Sequence, residues 1–358
     1  MKRTLFIITL LSSLSLFGQT IITSSDFIAA GDSVGISTTT DMTIDFTSTG
    51  ANSTWDFSSL SDNNQLFEIA YDIASAGTLI AFQFGGFAPP KYQASFYQPF
   101  DGLPFDQLGN ALPVNIESIN RLTKIENDKV TYLGYSLEIN GQQAGFRSDT
   151  IETAYVLPLN FGDSYSSRGY TNMDFNPVYD AQFIQYRQRE STVDGEGQLI
   201  TPYGTYDVIR IHHNITELDS VRIAIGSFNQ WIPINRTVNE YEWWDTGLKR
   251  PVLKIETEGA FGNETPTRIT YLNDQIAELD ENTIKIALFP NPTSDYLTLQ
   301  SIEKIETINI FSLEGKKVFS KEVASNEIKL DLVHLAPGMY KLQTISKNGR
   351  SFNSIVIK

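Results

Sequence analysis

From about residue 24 to residue 275, apolar, β-branched and aromatic residues recur at every second position, interrupted at intervals of roughly 8 to 15 residues by Gly, Asn, Asp or Pro. A period of two sends alternate side chains to opposite faces, so the pattern predicts β-strands with one packed and one wetter face. Val221, Ile223 and Ile225 alternating with Arg222 and Ala224 illustrate it. Asn140-Gly141 after Tyr132–Ile139, and Asp194-Gly195 after Phe183–Val193, are dipeptides that tolerate the positive φ of tight hairpins, which predicts antiparallel pairing. No run of 11 or more residues carries a capped helical stripe, so parallel βαβ folds are disfavoured. The expected class is all-β, a large antiparallel sheet or sandwich over residues 19–275, as one domain or two subdomains. One large sandwich, a curved open sheet and two small sandwiches in series all fit the pattern. The Gly, Pro and aromatic-rich stretch Phe82–Asn110 reads as a long loop and a candidate internal division.

A polar, acidic, aperiodic segment follows, predicting a linker at 276–283. Residues 284–358 then read as a small immunoglobulin-like β-sandwich. Its expected strands are Tyr296–Leu299, Thr307–Phe311, Ile328–Leu332, Tyr340–Ile345 and Phe352–Ile357, the last two joined by Asn348-Gly349. The charge changes at the same boundary. The chain holds 42 acidic and 27 basic residues, for a net charge of −15, yet 284–358 hold ten basic and seven acidic residues. The acidity therefore belongs to the first region, and it repels nucleic acid.

Cysteine is absent, which removes thiol catalysis, Cys-bound zinc and disulfides. At the N-terminus, Lys2 and Arg3 precede a run of about 13 apolar, Ser and Thr residues from Leu5 to Phe17. A membrane span needs about 20 apolar residues, so residues 1–18 read as a signal peptide and the expected address lies outside the cytoplasm, by way of the periplasm. No other segment approaches spanning length.

The C-terminal residues carry a recognisable order of motifs: Leu288-Phe289-Pro290-Asn291-Pro292-Thr293, Leu297-Thr298-Leu299, Leu313-Glu314-Gly315-Lys316, Leu335-Ala336-Pro337-Gly338-Met339-Tyr340 and Ile355-Val356-Ile357-Lys358. Together they resemble the type A C-terminal sorting domain of type IX (Por) secretion cargo. The resemblance implies outer-membrane translocation directed by 284–358, with type IX machinery as the partner. It further implies removal of the domain and a cargo that is secreted or held at the cell surface. The cargo opening, Ser24-Ser25-Asp26-Phe27 through Gly50-Ala51-Asn52 and Trp55-Asp56-Phe57-Ser58, resembles other secreted proteins of Bacteroidetes and names no activity.

Candidate chemistry in the cargo is thin. Gly31-Asp32-Ser33-Val34-Gly35 has the G-x-S-x-G form and resembles the Gly-Asp-Ser block of lipases and esterases, with Asp331 and His334 as an Asp-x-x-His near the C-terminus. A nucleophile elbow needs a strand before the Ser and a helix after it, and Ser33 precedes a strand- or loop-like stretch. Asp245-Thr246-Gly247 resembles the aspartic-protease block but lacks a second copy to face it. His212 and His213 are neighbours on one predicted strand and point to opposite faces, with His213 on the side of Ile209 and Ile211. Tyr241, Trp243 and Trp244 fit a sugar-stacking platform or, more simply, a sheet core. A glycosidase carboxylate pair is set by distance in space and leaves no mark in the sequence. Asp32-Ser33-Val34, Asp149-Thr150-Ile151 and Asp219-Ser220-Val221 resemble the O-glycosylation pattern of exported Bacteroidetes proteins. The expectation is therefore a cargo that binds or builds, with no catalytic, cofactor-binding or metal-binding residue assigned and a glycan or protein as candidate ligand. A secreted hydrolase of polysaccharide or protein is the alternative.

Overall fold

The computed structural model describes residues 20–105, 116–176, 179–225, 228–259, 264–273, 286–312, 316–347 and 349–358. The expected signal peptide, the whole expected linker, Leu313-Glu314-Gly315 and Asn348 lie outside the described residues. The chain divides into two compact units, Met1–Asp274 and Gln275–Lys358.

The described part of the first unit is one sheet of 13 strands, antiparallel at every pairing but one. In chain order these are β1 (Ser33–Thr38), β2 (Gly50–Asp56), β3 (Asn64–Ile69), β4 (Phe96–Pro99), β5 (Ile116–Ile125), β6 (Lys129–Ile139) and β7 (Gln142–Val156). They continue as β8 (Ser164–Asp174), β9 (Ala181–Thr201), β10 (Gly204–Ile225), β11 (Phe228–Trp244), β12 (Leu253–Glu258) and β13 (Thr265–Leu272). Strands β4 to β13 run as a meander, each beside its successor, and the sheet continues from β13 to β1 and then β3. Beyond β3, Tyr71 exchanges two backbone hydrogen bonds with Tyr97 of β4, at 2.9 and 3.0 Å, and their rings stack. The two ends of the sheet meet there, so the expected large sheet is a nearly closed barrel whose seam is held by this short contact.

The hairpin at Asn140-Gly141 forms as expected: both residues have positive φ, 47° and 73°, and Ile139 faces Gln142 across the turn. Asp194-Gly195 does not turn the chain. It lies inside the 21-residue β9, and the β9–β10 hairpin closes instead between Thr201 and Gly204. Gly195 and Gly197 serve another purpose: β2 runs parallel to β9 against them. A Cβ at Gly197 would fall 2.0 Å from the Ser53 carbonyl oxygen, and one at Gly195 would meet the Trp55 ring. Glycine is needed for close backbone approach, which a sequence reading cannot separate from a turn. The stretch Phe82–Asn110 is likewise no domain boundary. Its described part holds the end of the short helix α1 (Thr78–Phe84) and β4, within the first unit.

Two apolar clusters cover the outer face. Trp55, Phe57 and Leu60 pack with Leu199, Val208, Tyr241, Trp243, Ile255 and Tyr271, while Ile80 and Phe84 of α1 pack on Leu122 and Leu133. The interior has apolar ends. Ile22 and Phe27 join Ile209, Ile211, Tyr155 and Trp244 in one cluster, and Phe105, Phe183, Val221 and Leu137 form another. Between these clusters the inward residues of β7 and β9 to β12 are charged.

The second unit is a five-stranded all-β module of β14 (Ile286–Phe289), β15 (Tyr296–Phe311), β16 (Lys317–Asp331), β17 (Gly338–Ser346) and β18 (Gly349–Ile357). The strands expected at Tyr296–Leu299 and Thr307–Phe311 are one continuous β15. Register breaks between Gln300 and Ile305 absorb the polar stretch without ending the strand. Leu297, Leu299, Ile308, Ile310, Leu330, Leu342, Ile355 and Ile357 form its core.

Candidate functional site

In the second unit the motif ends are one structural feature. Asn291 Oδ1 accepts a hydrogen bond from the Val356 amide at 2.9 Å, the Thr293 amide donates to the Val356 carbonyl, and the Lys358 amide donates to the Thr293 carbonyl. Proline at 290 and 292 keeps this crossing segment out of the sheet ladder, so it lies against the last strand. Tyr340 O–H closes the Leu335–Tyr340 motif by donating to the Ala336 carbonyl at 2.8 Å. The first and last motifs, far apart in the sequence, are thus neighbours in one small fold.

Inside the barrel, alternation on β9, β10, β11 and β12 aims Arg187, Arg189, His213, Glu217, Asp219, Glu240, Glu242 and Lys254 inward. All of these except Asp219 belong, with Glu152, Arg236 and Glu256, to one continuous chain of charged contacts. Arg236 bonds Glu217, Glu217 bonds Arg187, and Arg187 Nε lies 2.9 Å from Glu152 of β7. Glu152 also takes Arg189 at 2.7 Å, Arg189 reaches Glu240 at 3.1 Å, and Lys254 meets Glu240, Glu256 and Glu242 at 2.9, 3.1 and 3.6 Å. Charges this deep persist only when paired. Burial pushes Glu152 up, but Arg187 and Arg189 outweigh it and hold the carboxyl below its ordinary value. In the same way Lys254 and Arg189 overcome burial to hold Glu240 well below the usual range. Glu242 is held down to about 2, against burial, by His213 and Lys254, and it also accepts Tyr155 O–H and Trp244 Nε1–H at 2.8 Å each.

A cavity of about 760 Å³ opens beside this chain, between β4–β5 on one side and β11, β12, β13, β1 and β3 on the other. It lies along the short seam. Arg121, Arg187, Arg236, Arg250 and Lys254 face it together with Glu68, Glu217, Glu240, Glu256 and Glu258, interleaved with Gln98, Ser118 and Asn120. The volume falls in the range of ordinary ligand sites, whereas the lining is far more polar than most.

Ser191 Oγ lies 2.7 Å from His213 Nδ1, and His213 Nε2 lies 3.7 Å from Glu242. The residue types are those of a hydrolytic triad, but His213 is fully buried and Ser191 is 2% exposed. Burial, then Arg189, pushes His213 below its ordinary value, so it stays neutral and caps the ion chain. Asp219 also sits deep in the barrel, fully buried, with neither carboxylate oxygen hydrogen-bonded. Burial and then Glu217 push it up to about 7 against Arg187 and Arg236.

The residues singled out from the sequence fall elsewhere. Ser33 is exposed at the start of β1, after Gly31 at φ 93°, with no helix behind it. His334, beside the Phe319 ring, belongs to the other unit. Asp245 bonds its own loop through the Thr246 amide, and the Gly247 amide donates to Asp26. His212 and His213 point to opposite faces, with His212 stacked on Tyr241 outside and His213 inside. Tyr241, Trp243 and Trp244 are buried core residues. Among the described residues no cluster of three His, Asp or Glu could hold a metal ion, and no helix is long and apolar enough to cross a membrane. The alternation of Arg187, Arg189, Glu217, Glu240 and Glu242 on inward positions was the available signal for the cavity. On a sequence it is indistinguishable from a solvated strand face.

Residues 287–358 match the family model described as the secretion system C-terminal sorting domain. No curated protein and no solved structure matches the chain.

Proposed function

We propose that this chain, an exported type IX cargo by virtue of the sorting domain at its C-terminus, is a binding protein that takes a small polar ligand into the side cavity of its barrel. The observation that carries the reading is the cavity itself: sizeable, open along the seam, and lined by donors and acceptors fixed through a continuous ion-pair chain. Pinned side chains lose little freedom when a ligand arrives, which favours binding.

The cavity is less suited to hydrolysis. Glycoside cleavage needs one carboxyl protonated near neutral pH beside an ionised partner. Glu240 and Glu242, beside the cavity, are both held below their ordinary values, and the raised Asp219 is fully buried. Ser33, His212 and His213 keep structural roles in this reading.

The test is a thermal-shift panel of the full exported chain with neutral saccharides, acidic saccharides and short peptides, run beside Ile119→Trp, which fills the cavity from the face of β5 that carries Arg121. Stabilisation of the wild type by a panel member and its loss in Ile119→Trp are expected. No stabilisation by any member contradicts the reading, and chemical conversion of a member, seen by mass spectrometry, replaces it with the hydrolase.

A further inference from the structure

We infer that the cavity selects a hydroxyl-rich acid, of the uronic-saccharide class, and that Arg121 is the group that receives its carboxylate. The inference rests on the cavity-binding reading and adds the ligand's chemistry to it.

Nearly every cation facing the cavity is spoken for. Arg187 and Arg236 bond Glu217, Lys254 bonds three glutamates, Arg250 lies 3.1 Å from Glu68, and Arg268 lies 2.6 Å from Asp101. Arg121 is the exception: among the described residues it has neither an ion pair nor a hydrogen bond. Its guanidinium lies over two rings instead, 3.9 Å from the Tyr132 centroid and 4.5 Å from that of Phe100. Aromatic faces hold a guanidinium in place without using its five N–H donors, which remain free for a planar oxyanion. Gln98 sits opposite Arg121 in the β4–β5 register, so the two side chains share a face. Its Nε2 is buried without a hydrogen-bond partner, an unmet donor beside an unmet cation. Arg–carboxylate recognition is bidentate and planar, which this pair suits better than it suits a neutral hydroxyl.

The rest of the ligand is read from the opposite wall. Glu256 and Glu258 of β12 and Thr267 and Thr270 of β13 face the cavity there, and Arg268 between the two threonines and on the same wall is paired with Asp101. Hydroxyl groups both donate and accept, so a polyhydroxylated ring satisfies carboxylates and amides alike, whereas a second anionic group on that side would meet Glu256 and Glu258.

The experiment is calorimetric titration of the full exported chain with a singly charged disaccharide, one galacturonate joined to a neutral hexose, and with its methyl ester, which keeps the shape and removes the charge. The acid should bind at least tenfold more tightly than the ester. Arg121→Gln should abolish that preference and Gln98→Leu should reduce it several-fold, with wild-type circular dichroism spectra for Gln98→Leu as the control for folding. Equal affinity for acid and ester, binding of neither, or a preference that survives both substitutions would overturn the inference. The cavity reading stands or falls separately, on whether any ligand is lost in Ile119→Trp.

Discussion

Replacing Asp219 by Asn should make the protein more stable, and only above acidic pH. The buried carboxyl has no hydrogen bond to either oxygen and is pushed from 3.8 up to about 7 by burial and Glu217. A folded-state value above the unfolded one means that the native protein holds a proton the unfolded chain releases. Stability from this group is therefore complete below about pH 3.8 and is lost as pH rises through about 7. A rise of roughly three units at about 1.4 kcal/mol each puts the full loss near 4 kcal/mol above pH 8. Asparagine has the same shape and no proton to lose, and Gln185 Nε2, unpartnered on neighbouring β9, can supply a donor. Urea unfolding of wild type and Asp219→Asn at pH 4, 6 and 8 should show a difference near zero at pH 4 that grows to roughly 4 kcal/mol in favour of the variant at pH 8. A difference that does not change with pH would refute the reasoning, because it would mean that the carboxyl titrates normally.

Further outcomes follow from the same interior and from its outer cover. His213, held below its ordinary value by burial and Arg189, contributes stability present above about pH 6.5 and lost as pH falls, so His213→Gln should flatten the acid limb of the melting profile. Glu152→Gln leaves Arg187 and Arg189 without their shared partner and should cost about 3 to 5 kcal/mol, read by urea titration. Gly197→Ala drives a methyl into the Ser53 carbonyl and should cost about 2 kcal/mol or more, with the Trp55 fluorescence environment altered as β2 lifts. Of the three glycosylation candidates, Ser33 and Thr150 are exposed, while Ser220 is half-buried beside the fully buried Asp219. Intact-mass analysis of native material should show whether an O-glycan is present, and peptide mapping should place it at the first two. A chain ending before Ile284 should accumulate in the periplasm, which fractionation and blotting would show.

The strand content, the hairpin at Asn140 and the motifs of the C-terminal module were legible because each has a local cause: period-two patterning, positive φ and prolines beside a strand end. Barrel closure was not legible, since it depends on Tyr71 meeting Tyr97 across a sheet whose order no local signal encodes. The glycines at 195 and 197 misled for a related reason. Glycine marks a need for space or for positive φ, and only the position of β2 shows which. The cavity was hidden most deeply. Arginine and glutamate at alternate positions read as a wet face, and they are inward-facing here because ion-pairing groups from β7 and β9 to β12 compensate one another. His213 was placed correctly beside Ile211, but Ser191 and Glu242, its partners in space, lie on other strands.

The most direct measurement is a crystal structure of the full exported chain with the panel member that stabilises it most. The account predicts ligand density in the cavity between β4–β5 and β12–β13, with an acidic group against Arg121 and Gln98. Density on the outer face, or a cavity left unchanged while ligand is bound elsewhere, would contradict it.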